Sequence, residues 1–256
     1  MHGLFGTKHL IILAVSIAII VTLSFFLKKL SLATCSKILF FVGIASETVK
    51  IFYYILANEE KYGGILPKSD LPFHLCSIQI IFIAIVNYSK NEKLKKFLQS
   101  FMLPSCLFGG IAALLVATSS SLNGGLAITV QYFLYHVAII LYAIKLFISE
   151  EFKLELSCYF NCLKFLVILM FFSIYINSIL YDYGVSNINF MYVASPPAEN
   201  LPYLNEKDGW FAYILRYALL IIVAVTGCYI KPIVNAVKNR FLKEKEADEE
   251  KEAITK

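Results

Sequence analysis

Charge is what this chain has least of. Asp, Glu, Lys and Arg make up 16% of its 256 residues, against about a quarter in a soluble globular domain. That scarcity, with 59% hydrophobic residues and a mean hydropathy of +0.70, excludes a soluble fold. No Gly-, Pro- or Ser-rich linker divides the apolar part, so one domain over residues 1–237 is expected, followed by a charged tail over 238–256. The six cysteines form no outward disulfide framework. Cys35, Cys158, Cys162 and Cys228 fall at or near the cytoplasmic side, where thiols stay reduced, and Cys106 lies in an apolar run. Cys158 and Cys162 are spaced i, i+4, but no further Cys or His completes a zinc set. No cofactor is expected. There is no internal repeat and no matched pair of Gly/Pro-broken spans of the kind secondary transporters use. The net charge of +5 does not indicate nucleic-acid binding, because the basic residues sit in short loops and the tail, where they set membrane orientation.

What is present is a series of apolar runs, about 9–27, 34–57, 71–88, 97–117, 127–148, 160–181 and 210–234. Runs of some 18 residues or more read as spanning helices. The expected fold is all-α: a polytopic bundle of about seven transmembrane helices in the cell membrane. The first run is too long for a signal-peptide core, and Lys28-Lys29 closes it as a loop would. One set of loops carries Lys28, Lys29 and Lys37, then Lys90, Lys93, Lys95 and Lys96, then Lys145, Lys153 and Lys164, then the tail from Lys231. The alternate set carries Lys8, Lys61, Lys68 and Lys207. The richer set is cytoplasmic by the positive-inside rule, which puts the N-terminus outside and the C-terminus inside. The tail alternates acidic and basic residues and reads as a solvated helix.

A rise of 1.5 Å per residue gives each polar residue a depth. From the outer ends, Lys50 lies roughly 10 Å in and Glu47 roughly 15 Å, Cys76 roughly 8 Å and Gln79 roughly 12 Å, and Gln131 roughly 6 Å and His136 roughly 14 Å. Asn177 lies roughly 6 Å in and Arg216 roughly 9 Å. All fall in the outer half of the layer, which points to a polar cavity opening outward. Helical phase puts Glu47, Lys50 and Tyr54 on one face, Cys76 with Gln79 on another, and Thr129, Tyr132 and His136 on a third. His74 is two residues from Cys76 and, in a regular helix, would point about 200° away.

Each of these residues also has a plainer reading. Glu47 and Lys50 make a neutralising intrahelical pair. Gln131 and Asn177 serve as interhelical hydrogen bonds. Arg216 snorkels to outer headgroups. The long outer segment 187–210, with Asn189, Tyr192, Pro196-Pro197, Pro202, Tyr203 and Trp210, is either a lid over the cavity or an interfacial aromatic belt.

Three motifs then carry a resemblance. Leu71-Pro72-Phe73-His74-Leu75-Cys76, Gln131-Tyr132-Phe133-Leu134-Tyr135-His136, and Asn189-Phe190-Met191-Tyr192 with Pro196-Pro197 occur in order on successive segments. Together they resemble the YwaF-like bacterial integral membrane proteins, a group similar to the vertebrate transmembrane protein 164 group, over about residues 47–210. Phe73 departs from the smaller aliphatic residue expected at its position. The resemblance implies movement of fatty acyl chains between phospholipids, with Cys76 as nucleophile and His136 as its base. Lys50 or Arg216 would then hold a lipid phosphate, and Gln79 or Gln131 would donate to the oxyanion. The site as expected comprises Cys76 and His136 with Glu47, Lys50, His74, Gln79, Gln131, Tyr132, Asn177, Asn189, Tyr192 and Arg216, and no metal. The expected partners are membrane lipids, with self-association left open. Two other readings stand beside it: a small-solute or proton-coupled transporter or ligand-binding protein using Glu47, Lys50 and Arg216, and haem binding through His74 and His136.

Overall fold

The computed structural model describes residues 4–181, 188–197, 201, 203–205 and 207–255, with the backbone alone for 119 and 247–255. Asn187, Asn200 and Pro202 of the outer segment lie outside the described residues. Among those described, every regular element is a helix. The principal ones are α1 (Thr7–Leu27), α2 (Leu32–Ile51), α3 (Leu75–Tyr88), α4 (Glu92–Leu115), α5 (Leu126–Ile148), α6 (Leu156–Leu180), α7 (Trp210–Cys228) and α8 (Ile230–Thr255). Six helices are long and apolar enough to cross a membrane, α2 counted with its continuation to Ala57, and α3 is a shorter apolar helix. This is a multi-pass helical membrane protein.

Helices α4 and α5 form the centre. Of their most apolar stretches 56% is buried, against 17–22% for the other four long helices, whose remaining apolar surface is left for lipid. The two pack closely at Gly110, where a Cβ would stand 2.6 Å from Ile140 Cγ1. Helices α1, α2 and α3 surround this pair on one side, and α6 and α7 on the other.

Backbone groups freed by prolines are taken up from neighbouring helices, as a membrane interior requires. Pro104 lies inside α4 and has no N–H for the carbonyl of Ser100. The Tyr229 hydroxyl donates to that carbonyl at 2.6 Å. At the ends of other helices, His9 caps the Leu114 carbonyl at 2.8 Å. The buried Lys145 donates to the carbonyls of Leu27 and Leu30, which close α1.

The second expected span holds over Leu32–Ala57, and two others are corrected. The run to Ala57 ends as a π-helical turn, Phe52–Ala57, with the Asn58 side chain donating to the Tyr53 carbonyl. The third span begins at Leu75 rather than Leu71. A residue before proline avoids the helical region, and Leu71 sits at φ −61°, ψ 150°. The Phe73 N–H then turns back onto the Leu71 carbonyl at 2.8 Å, and His74 is the extended N-cap. The 14 residues of α3 cover about 21 Å, so part of the layer opposite them is met by the packed turn 71–74. The last span ends at Cys228, because Tyr229 leaves the helical region and Pro232 starts a new helix within its first turn.

Candidate functional site

The late start of α3 puts Cys76 in the first turn of a helix. Its sulfur lies beside the amides of Cys76 and Ser77 and the Ser77 hydroxyl. First-turn amides have no partner within the helix and carry the positive end of its dipole. A thiolate there is supported by groups that are already in place, which offset part of the cost of burying an anion. The carbonyl of Cys76 accepts from the Tyr135 hydroxyl at 2.7 Å, which ties α3 to α5. His74 precedes the helix, so the 200° separation expected from Cys76 does not apply to it. Its ring packs on Phe190 at 5.0 Å and Tyr192 at 5.6 Å.

On α5, His136 Nδ1 donates to the Tyr132 carbonyl at 2.7 Å. That bond fixes the tautomer and leaves Nε2 as an acceptor. Nε2 is buried with no hydrogen-bond partner, in a residue only 2% exposed. Its ring lies 4.2 Å from that of Tyr132 and 5.7 Å from that of Tyr135. Tyr135 donates to the Cys76 carbonyl, while the Tyr132 hydroxyl donates to the Ala113 carbonyl at 3.0 Å and stands near enough to Cys76 to act on it electrostatically. Cys76 and His136 therefore have these two tyrosines as common neighbours, with no hydrogen bond joining the thiol to Nε2. Gln79 lies fully buried one turn further along α3. Both donors of its amide are used, on the Leu75 carbonyl and the Ser105 hydroxyl, each at 3.0 Å, and its oxygen has no partner. Gln79 thus offers this site an acceptor, not the donor expected of it.

Lys50 pairs with Glu47 at 2.8 Å and donates to the Asp70 carbonyl at 2.8 Å. It stands near enough to act electrostatically on His74 and Cys76. Asp70, in the turn before α3, bonds the Tyr54 hydroxyl; burial pushes its carboxyl up, with Lys50 and the Tyr54 bond opposing. Gln131 donates to the Ser46 hydroxyl at 2.5 Å, the interhelical bond of the plainer reading.

The described part of the segment between α6 and α7 packs as a cap. Asn177 on α6 holds Phe190 by both backbone groups, accepting from its N–H at 2.8 Å and donating to its carbonyl at 3.2 Å. Asn189 binds within the loop, to Ser195 and Ala194. Helix α7 supplies three further anchors. Tyr217 donates to the Met191 carbonyl at 3.0 Å, Trp210 to the Val193 carbonyl at 2.9 Å, and Tyr213 to the Tyr192 carbonyl. Phe190 then covers Phe73 and His74.

The sequence-derived set is thus brought together in part. Cys76, His74, Lys50, Glu47, Tyr132, His136 and Tyr192 form one neighbourhood at the head of α3, with Gln79 beneath. Asn177 and Asn189 build the cap. Arg216 is directed elsewhere, into an ion pair with Asp208 and contacts to Asn205 in the loop before α7. Depth along a helix gives height and not direction around the bundle, which is why Arg216 was grouped with the rest. Sequence reasoning passed over Tyr135, Asp70 and Ser105. Asp70 adjoins the Leu71-Pro72 motif and is the acid nearest to it, a signal that was available.

The model of the TMEM164 family matches residues 4–229. The match bears out the transmembrane protein 164 side of the resemblance and does not reach the YwaF-like side. No curated protein and no solved structure matches.

Proposed function

The chain belongs to the TMEM164 family, and from that premise we propose that it is a lipid acyl-transfer enzyme working in the outer leaflet, with Cys76 as nucleophile and His136 as general base. The observation that carries the reading is the buried, unpartnered Nε2 of His136, beside Tyr132 and Tyr135, the second of which also binds the Cys76 carbonyl. An acceptor left without a proton in a dry site costs free energy. That cost has a use if Nε2 receives the thiol proton.

The cycle balances as two transfers. Nε2 takes the Cys76 proton, and the sulfur attacks the ester carbonyl of a phospholipid. The carbon–oxygen ester bond breaks, the lysophospholipid leaves with the proton from His136, and the acyl group stays on sulfur as a thioester. The hydroxyl of a second lysophospholipid then gives its proton to Nε2 and attacks the thioester carbonyl. The carbon–sulfur bond breaks, and the thiol regains its proton. The first-turn amides of α3 are placed to receive the oxyanion. Lys50, held by both Glu47 oxygens and the Asp70 carbonyl, would turn one of its three donors to a lipid phosphate oxygen. The cap must lift for a lipid to enter, and the polar cavity opens with it.

The test is acyl transfer between labelled phospholipid and lysophospholipid by purified protein in nanodiscs. Cys76→Ser should lose most of the activity, and His136→Ala should lower the rate by about 10²–10⁴-fold. Cys228→Ser should match the parent. Transfer retained in Cys76→Ala would exclude the nucleophile.

A further inference from the structure

At the other end of the molecule, α8 begins before the charged tail and runs into it. Its first sixteen residues carry a continuous apolar stripe. Ile230, Val234, Val237 and Phe241 follow one another at intervals of three or four residues and are each half or more exposed. At 100° per residue these four, with Ile233, fall within an arc of about 100°. Lys231, Lys238 and Lys245 recur every seven residues along one edge of that arc. Arg240 lies at the other edge, paired to Glu244 at 2.9 Å.

We propose that residues 230–246 form an interfacial helix that lies in the anionic phospholipid headgroups of the leaflet at which α7 ends. Three observations select that occupant. The stripe begins two residues after Cys228, the last residue of a membrane span, so no chain length separates it from the bilayer surface. The joint at Tyr229 (φ −106°, ψ 15°), followed by the buried Pro232, breaks the α7 axis and lets α8 take another direction. Charge then divides the tail. Between Lys231 and Glu246 five basic residues stand against two acidic, whereas from Ala247 onward four acidic stand against two basic. Basic side chains along a stripe reach up to lipid phosphates while their stems cover apolar surface. The acidic segment that follows is repelled by the same surface, which sets the end of the bound segment near Glu246. The helix would tie the end of α7 to the membrane plane and, through the Tyr229 bond to Ser100, the centre of the bundle as well.

The experiment uses the full chain in nanodiscs of phosphatidylcholine, with and without phosphatidylglycerol. Phe241→Trp, in a Trp210→Phe background, places a single indole in the stripe. The expected result is a blue-shifted emission that lipids brominated on their acyl chains quench and acrylamide does not, more strongly in the anionic discs. Adding Lys231→Gln, Lys238→Gln and Lys245→Gln should bring the anionic discs down to the neutral ones while the melting temperature of the bundle is kept. Acrylamide quenching equal to that of a free indole in both lipids would overturn the proposal. So would bromolipid quenching that is the same in both lipids and indifferent to the triple substitution. Protection by association of two copies, seen as emission that changes with the number of chains per disc and not with lipid charge, would also overturn it.

Discussion

Asn177→Ala separates the cap from the helix that holds it, and the size of the effect follows from two bonds. Asn177 meets both backbone groups of Phe190, and Phe190 is fully buried. Alanine leaves an N–H and a carbonyl without partners in the docked cap, at about 1–3 kcal/mol each. Taking the lower end for both gives about 2 kcal/mol. The undocked cap has those groups in contact with water or headgroups, so the cost falls on the docked state alone. The open fraction should rise about 30-fold, at 1.4 kcal/mol per tenfold.

Cys76 reports that fraction, since Tyr192 and the residues around Phe190 lie over the head of α3. Alkylation of purified protein by a maleimide should be faster in Asn177→Ala than in the parent by about that 30-fold factor, with Cys76→Ala as blank for the other five cysteines, all buried. Where cap closure is fast relative to alkylation, the rate follows the opening equilibrium. A rate unchanged in a variant that still melts cooperatively would refute the cap as the barrier over Cys76.

Gly110→Ala should lower the melting temperature in detergent, because its methyl would stand 2.6 Å from Ile140 Cγ1 and 3.2 Å from Ile139 Cγ1; overpacking of this kind costs about 1–3 kcal/mol. Asp70→Asn should be at least as stable as the parent at pH 7. Burial holds the Asp70 carboxyl above its ordinary 3.8, so its contribution to stability is full below pH 3.8 and is lost as pH rises through the folded value. The variant's advantage should shrink as the pH falls to 3.8, and a parent that melts higher at neutral pH would contradict the sign. In intact cells, cysteines introduced at the exposed Lys61 should react with a membrane-impermeant maleimide, and those at Lys93 and Lys243 should not; labelling at Lys93 would invert the orientation read from the lysines.

The spans were legible because long apolar runs admit few other structures, and their boundaries held at α1, α5 and α6 to within a few residues. What escaped the sequence was whatever depends on a neighbour. Tyr135 belongs to a quoted motif, yet helical phase favoured Tyr132 and His136, and only the approach of α3 to α5 gives the Tyr135 hydroxyl its carbonyl. The Pro104 vacancy and the Tyr229 hydroxyl that fills it are 125 residues apart, and nothing local pairs them. Gln79 was read by residue type as a donor, and its role reversed once Ser105 on α4 took the second amide hydrogen. The shift of the α3 start from Leu71 to Leu75 had a local signal, the residue before Pro72. It also changed the chemistry, by moving Cys76 from mid-turn into the first turn.

Two costs fall in the same place and, on the proposed function, mark where the molecule would open. Met191 and Tyr192 are consecutive non-glycine residues at φ 55° and 53°, a conformation that costs about 1–3 kcal/mol each. They persist because α7 binds the carbonyls of Met191, Tyr192 and Val193 and α6 binds Phe190. Every one of those anchors lies on a peripheral helix with only 17% of its apolar stretch buried, and none lies on the α4–α5 centre. Drawing α6 and α7 away from α4, the helix on which they pack, would release the anchors together and relieve the two strained residues. The unpartnered Nε2 of His136 and oxygen of Gln79 sit on the side that stays. A lipid arriving between α3 and α6 would therefore meet the acceptors already in position, with cap strain offsetting part of the work of entry.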